Sequence, residues 1–398
     1  MNEGSDNKAL ITFFLSILLV GIGFSIILPV LPIYAQSLGA SGFQLGLLTT
    51  SYAVCQFIFA PFWGAYSDKV GRKPVLLLGM FGFTLTFVLW AIASSLPMLY
   101  LARIAGGIFS SACMPTSLAY IADCTPPEKR GSRMGLVGAS IGVGNIFGPA
   151  LGGVLSEVSL SFPFVISSIM AFLNFLAVAV FVKESLVKEA RKTELRYSRP
   201  SLLEGLKTPL KGLLIVMLMV SISETTHQWI FALYSEGKLG LTVQLIGWAF
   251  TGAGIASALV QGLLVGRFIG WLGEEKTARL GMTITIVSFG LLLIIQSYIA
   301  VVALMTTIAF GLGLIRPSIF AAVSRRTSTE QGKTMGILQG YDSLGRGVGP
   351  PLGGFMLDQN LHYGYLEALI VMGLAWLTLR FLVKPYNGQK TALVKASD

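Results

Sequence analysis

The chain has 398 residues, of which 54% are hydrophobic and 12% charged, about half the charged share of an ordinary soluble domain. Cys55, Cys113 and Cys124 lie in or beside apolar runs without metal-ligand spacing, so neither a disulfide framework nor a metal site is expected, and no Asn opens an N-glycosylation sequon. The net charge of +10 would suggest nucleic acid in a soluble protein; here its sign has a topological explanation, and no nucleic-acid partner is expected.

A helix needs about 20 apolar residues to cross the hydrocarbon core, because backbone polar groups in lipid must be satisfied within their own segment. Runs of that kind predict helices near 9 to 35, 43 to 66, 74 to 95, 97 to 122, 132 to 156 and 161 to 182. Six more are predicted near 212 to 235, 243 to 268, 277 to 296, 299 to 323, 333 to 357 and 363 to 383. The first run is too long for a signal-peptide core and lacks a small-residue cleavage site, so it reads as a span. The expectation is an all-α membrane protein of twelve transmembrane helices in two pseudo-symmetric six-helix bundles, residues 1–182 and 212–398, joined by a linker over 183–211.

Lys and Arg are retained on the cytoplasmic side of a membrane. Of 29 such residues, 25 fall at the termini and in the even-to-odd loops, three (Arg103, Arg316 and Arg346) fall within helices, and only Lys238 remains outside. Both termini are therefore expected in the cytoplasm and the protein in the inner (plasma) membrane. The linker holds eight basic and four acidic residues and no spanning run; it reads either as a partly helical segment on the anionic inner leaflet or as a solvated tether.

The fifth helix carries Gly135, Gly144, Gly148-Pro149 and Gly152-Gly153, and the eleventh repeats them as Gly336, Gly345, Gly349-Pro350 and Gly353-Gly354, each 201 residues on. A uniform offset of half the protein indicates an internal duplication, an arrangement in which transporters place substrate at the interface between repeats. Gly144, Gly148 and Gly152 recur every four residues, forming a flat stripe for close helix approach, and Pro149 removes a helical hydrogen bond beside it.

The Gly135 to Gly153 pattern resembles the antiporter signature of the drug:proton antiporters in the major facilitator superfamily. The run Gly64-Ala-Tyr-Ser-Asp68-Lys-Val-Gly71-Arg72-Lys73 resembles that superfamily's loop between helices two and three. Leu28 to Pro32 and Arg316-Pro317 are similar to stretches of the bacterial twelve-helix multidrug and tetracycline exporters. The resemblance implies a rocker-switch mechanism with a central cavity open alternately to each side. It also implies a cytoplasmic latch of Asp68, Gly71, Arg72 and Lys73, with the Asp at a helix N-terminus, where the dipole favours it, and Arg72 on Asp123. The second copy of the loop, Gly266 to Glu275, keeps Gly266 and Gly273 but has Gly270 where the Asp would be, so the latch is expected to be asymmetric.

Ionisable residues inside spans are costly and are functional candidates by default. Arg103, followed by Gly107, resembles the family's helix-four motif, whose Arg is linked to proton coupling; unable to discharge, it must meet a carboxylate, a carbonyl or a wet cavity. Arg316 follows the same logic in the second half. Glu224 and His227, three residues apart, share a helix face and read either as a proton-exchanging pair or as a polar contact to a neighbouring helix. In the similar exporters the helix-seven acid falls where this chain has Gln228, and a helix-ten acid where it has Gly313. Asp342 and Arg346, spaced i to i+4 with the acid first, form a self-neutralising pair of structural or coupling role. Gln56, Phe57, Tyr52, Phe109, Trp229, Phe231 and Tyr341 are candidate lining for a cavity that takes flat lipophilic compounds, with Phe14, Trp248 and Phe310 as further aromatic candidates.

These features lead to a monomeric, proton-coupled efflux antiporter for amphipathic organic compounds. The rival readings are an exporter of one metabolite or of a lipid on the same fold and, more remotely, a non-transporting sensor. No cofactor, metal or catalytic constellation is expected.

Overall fold

The computed structural model describes residues 3–186, 202–327 and 331–383. Twelve long helices are present among them: Glu3–Ser37 (α1), Gly42–Val70 (α2), Arg72–Ala91 (α3), Leu96–Asp123 (α4), Pro127–Leu155 (α5), Phe162–Phe181 (α6), Lys211–Leu239 (α7), Val243–Leu272 (α8), Glu274–Ile294 (α9), Tyr298–Arg326 (α10), Gln331–Gln359 (α11) and Tyr363–Phe381 (α12). Eleven are long and apolar enough by themselves to cross a membrane. The exception is α11, which carries Lys333, Asp342, Arg346 and Asp358; it packs between α2 and α7 and keeps Leu344, Val348 and Phe355 exposed. Most of the linker lies outside the described residues. Its end forms a short helix, Leu202–Leu206, whose Gly205 is so close to Ile337 and Leu214 that a Cβ would lie 2.7 Å from each. That stretch is docked on the second bundle and is not a free tether.

Two helices depart from the expected single rods. The fourth breaks at Ser111 and Ala112, between Leu96–Ser110 and Cys113–Asp123. Pro115 accounts for the break, since it has no N–H for the Ser111 carbonyl four residues back and its ring crowds that oxygen. In α8 a π-helical turn covers Val260–Leu264.

The packing of apolar side chains shows how the halves meet. One large core draws on both: Ile27, Leu31, Phe87, Trp90 and Phe164 from the first, Trp229, Phe231, Phe250, Phe289 and Tyr365 from the second. The other cores stay within one half, Met217, Met282, Ile315 and Leu338 in the second and Phe13, Leu76, Met80 and Tyr120 in the first. The shared core lies toward the ends of the helices remote from the Lys- and Arg-rich loops, and the separate cores lie toward those loops. The bundles are thus closed against each other on one face and parted on the basic face. Outward-facing Leu101, Phe172, Val180 and Ile370, all between 45% and 71% exposed, coat helices on the perimeter with the apolar surface that lipid requires.

Glycine sets the distance of closest approach. In α5, a Cβ on Gly144 would lie 2.7 Å from the Gly21 backbone of α1, and one on Gly152 would lie 2.7 Å from the Ile26 carbonyl. The second copy does the same, Gly345 and Gly349 of α11 meeting the Leu218 and Ile222 carbonyls of α7 at 2.6 and 2.5 Å. Hydroxyls complete the seams: Ser25 Oγ donates to Gly144 O at 2.8 Å and Thr226 Oγ1 to Gly349 O at 2.9 Å. The last glycine of each motif turns to the opposite bundle, Gly153 to Gln244 of α8 and Gly354 to Gly42 of α2. Gly135 has nothing within 4 Å of a Cβ, so it is outside the stripe.

Gly144→Ala should therefore overpack the α1–α5 seam and cost about 1–3 kcal/mol, read as a melting temperature several degrees lower in detergent. Gly135→Ala should leave it unchanged or raise it slightly, since alanine favours helix. Equal losses at both positions would show that the stripe is not what sets stability.

Candidate functional site

Between the bundles, toward the basic face, lies a half-open cavity of about 300 Å³. Its walls are Gln56, Phe57 and Ala60 of α2, Ser111, Met114 and Pro115 at the α4 break, and Gln339, Ser343 and Arg346 of α11. The break in α4 thus shapes the wall. Of the expected lining residues, Gln56 and Phe57 are on it; Gln56 Nε2 reaches the Tyr52 hydroxyl at 3.4 Å, and that hydroxyl pairs with Ser110 Oγ at 2.8 Å. Others belong to packing. Phe109 covers Gly82 of α3, Phe231 is fully buried against Phe250, and Tyr341 is in the core of the second bundle. Phe14 and Phe310 are partly buried, and Trp248 is 47% exposed. Aromatic identity alone does not tell cavity from core, because both reward large apolar surface.

Beside the cavity is a network of four charges. Arg316 of α10 donates through Nε to Glu224 Oε2 of α7 at 2.7 Å, and through Nη2 and Nη1 to Asp342 Oδ1 and Oδ2 of α11 at 2.7 and 3.2 Å. Asp342, whose side chain is fully buried, also accepts from Ser221 Oγ at 2.5 Å, Gln339 Nε2 at 3.1 Å and Arg346 Nε at 3.1 Å. Two carboxylates and two guanidiniums make the cluster neutral as a whole, which is how charge is tolerated away from water. Arg346 is about half exposed on the cavity wall, so the network runs from the cavity into the second bundle. The i, i+4 pair Asp342–Arg346 is present, but the stronger partner of Asp342 is Arg316.

Glu224 and His227 are not brought together. Three residues along a helix leave two side chains about 60° apart in direction. Glu224 goes to Arg316, whereas His227 is buried with Nδ1 3.0 Å from the Tyr365 hydroxyl of α12 and its ring against Phe289.

Among the described residues, Arg103 meets no carboxylate or carbonyl. Its guanidinium carbon stands over three rings, Trp90 at 4.8 Å, Trp229 at 5.1 Å and Tyr52 at 5.3 Å, and its Nε and Nη2 have no hydrogen-bond partner. Aromatic faces supply the negative potential that a carboxylate would otherwise provide. Trp229 belongs to the second bundle, so this contact crosses between the halves.

On the basic face, Arg72 joins Asp68 at 2.6 Å and Asp123 at 3.0 Å. Gly71 holds φ +114°, a conformation that favours glycine, as does Gly273 (φ +77°) in the second copy, which explains why the duplicated loop keeps this residue. The carboxylate at a helix N-terminus in this state is Glu184, accepting from the Arg72 and Lys73 amides at 2.8 and 3.2 Å, while Asp68 is held by Arg72. Lys73 Nζ donates to Ala179 O at 2.7 Å. These contacts all stay within the first bundle, in keeping with a basic face that is open.

Sequence reasoning missed several participants. Ser221 and Trp90 gave no signal as single polar or aromatic residues in apolar runs. Glu367 did give one, an acid inside the twelfth span; it is buried, neither carboxylate oxygen has a hydrogen-bond partner, and the adjacent Thr226 hydroxyl donates to Gly349 instead.

A lipid-coated pair of six-helix bundles around a cavity open on one face is the scaffold of a membrane transporter. The profile of the Major Facilitator Superfamily matches residues 13–236 and 213–396, and the chain belongs to that superfamily. It is 29% identical over 374 residues to Multidrug resistance protein 2 of Bacillus subtilis, covering 92% of this chain and 94% of that protein. It is 28% identical over 360 residues to the quinolone resistance protein NorA of Staphylococcus aureus, covering 89% and 91%. Among solved structures, it resembles a bacterial homologue of the lysosomal transporter Spinster, inward-facing and occupied, with a TM-score of 0.76 at 17% identity over 96% of each chain. An inward-facing bacterial homologue of ferroportin aligns with a TM-score of 0.76 at 13% identity, over 95% of this chain and 99% of that one.

Removing Asp342 leaves two guanidiniums against the one carboxylate of Glu224, so Asp342→Ala should cost about 3–5 kcal/mol. Arg346→Ala removes a half-exposed partner and should cost under about 1 kcal/mol. Thermal denaturation of the two variants in detergent checks the order; a reversed order would place the centre of the network elsewhere.

Proposed function

We propose that this protein is a proton-coupled efflux antiporter for amphipathic organic compounds, in the inner (plasma) membrane with both termini cytoplasmic, working as a monomer by alternating access. Its relatives bear multidrug- and quinolone-resistance names along nearly their whole length, which supports drug efflux. The observation that carries the coupling is the neutral network of Glu224, Arg316, Asp342 and Arg346, which borders the cavity at Arg346. A proton on Glu224 would release one arm of Arg316 and leave that guanidinium with Asp342 alone, so proton binding changes the forces between α7, α10 and α11. Of these helices, α11 forms one wall of the cavity and packs on α2 across the bundle interface. Substrate and proton thus act on one set of charges, which is the differential interaction that exchange requires. Gln56, Phe57 and Met114 offer an apolar wall with one amide, and half-exposed Arg346 suits compounds that carry an acidic group on an apolar body. On this reading Asp68, Gly71, Arg72, Lys73 and Asp123 form the cytoplasmic latch, and Arg103 helps couple the halves through Trp229.

Proteoliposomes under an imposed proton gradient test the proposal, with lipophilic cations, zwitterionic drugs, sugars and lysolipids as substrates. Gradient-driven movement of several amphipathic drugs is expected, zwitterions included; movement of a single sugar or of lysolipid alone would replace this reading with that of a dedicated metabolite or lipid exporter. Glu224→Gln should abolish substrate-driven proton release while substrate binding persists. Release at the parent rate in that variant would remove Glu224 from the coupling.

A further inference from the structure

We infer that Asp358, at the end of α11, is the outer gate latch: a carboxylate of the second bundle that caps the N-terminus of α2 in the first and holds the face remote from the basic loops closed. The inference rests on the alternating-access part of the proposed function. It does not depend on which compound is carried.

The first amides of a helix have no partner inside it and must find one elsewhere. Those of α2 are divided between the two bundles. Ser41 and Gln44 form a reciprocal capping box, the Ser41 amide donating to Gln44 Oε1 at 3.0 Å and the Gln44 amide to Ser41 Oγ at 3.2 Å. The two amides between them go across the interface: Gly42 N–H to Asp358 Oδ1 at 2.6 Å and Phe43 N–H to Asp358 Oδ2 at 2.8 Å. Both oxygens of one carboxylate are spent on the positive end of a helix dipole, and both bonds are charge-assisted. The backbone is built for this contact. A Cβ on Gly354 would lie 2.0 Å from the Gly42 carbonyl, and one on Gly46 would lie 2.4 Å from the Pro350 carbonyl, so α2 and α11 touch main chain to main chain just below the latch. Any opening of this face must pull Gly42 from Gly354 and release both amides to water.

The same antiparallel helix pair carries an acid at its other end. Asp68 lies near the end of α2 on the basic face, as Asp358 lies near the end of α11 on the closed face. The family resemblance gives Asp68 a helix N-terminus to meet when the basic face shuts; here it is held by Arg72, and Asp358 is engaged. One helix pair then carries a latching acid at each of its ends. Engagement of the two alternates with the state.

Nitroxide labels on Ser159 and Gln296, in exposed loops on the closed face of opposite bundles, would report gate opening by electron–electron double resonance in a background with Cys55, Cys113 and Cys124 replaced by alanine. Asp358→Ala is expected to move the population toward longer distances by roughly tenfold in the open-to-closed ratio, the size of a lost cap. Asp358→Asn, which keeps the shape and one acceptor oxygen, should give a smaller shift in the same direction and serves where the alanine variant folds poorly. Distance distributions coinciding with the parent's in the folded variants would overturn the latch. The measurement uses no substrate or gradient, so failed drug transport with an intact distance shift would count against the proposed function alone.

Discussion

Helices in lipid gain nothing from excluding water, so what joins them is contact at short range and the satisfaction of polar groups that lipid cannot satisfy. The duplicated glycine motif supplies both here. It brings α5 onto α1 and α11 onto α7 at distances where no side chain fits, and the serine and threonine hydroxyls of the partner helix donate into the exposed carbonyls. Proline frees a further carbonyl. Pro149 leaves the Asn145 carbonyl without its helical donor, and that oxygen faces Gly254 of α8, 3.0 Å from where a Cβ would be. Each motif therefore fastens one seam within its bundle and presents its last glycine to the other bundle. Rigid bundles with a glycine-lined hinge face follow from the same few residues.

Charge is handled by a second constraint, that an ion away from water must be paired or faced by a suitable dipole. The second bundle uses opposite charges: Arg316 is shared between Glu224 and Asp342, and Arg346 completes neutrality. The first uses quadrupoles, Arg103 standing among Tyr52, Trp90 and Trp229. These solutions differ in how easily they change. A carboxylate can be neutralised by a proton, whereas an aromatic face cannot, so under the proposed coupling the proton would act on the second bundle while the first holds a fixed cation. Trp229 ties that fixed cation to α7, the helix that also carries Glu224. A shift of α7 would be felt at both.

The twelve-helix, two-bundle plan was legible in the sequence because it depends on hydropathy and on a repeat with a constant offset, both one-dimensional. The approximate helix spans, the Arg72–Asp123 pair and the Asp342–Arg346 pair were legible for the same reason, being local or carried by a recognisable motif, while several helix ends lie four to six residues from where they were expected. What escaped was set by three-dimensional direction. Glu224 and His227 are near neighbours in sequence but point to different helices, and Phe109, Phe231 and Tyr341 are packed where a lining was expected. Nothing along the chain distinguishes an arginine facing rings from one facing a carboxylate. Glu367 was visible as an acid in a span; only the packing around it shows both its oxygens without a partner.

The two halves share a plan yet exchange charge at their basic ends. Arg72 and Asp123 form the link between the loop after α2 and the end of α4; 202 residues on, Glu274 and Arg325 link the loop after α8 to the end of α10 with acid and base reversed. The pair keeps its place while its members trade charge, so each half ties its loop to a helix end. The strengths are unequal, however. Arg72 is largely buried and serves Asp68 and Asp123 together, whereas the Arg325 side chain is 63% exposed and its pair with Glu274 contributes little in water. Glu275 with Arg326 adds a second link there. The first bundle thus keeps a single dense charge cluster at its basic end, and the second spreads its charge along the helix ends while concentrating its buried charge at Arg316. The two halves therefore share equivalent glycine seams but differ in where charge is placed, buried at Arg316 in the second bundle and gathered at the basic end of the first.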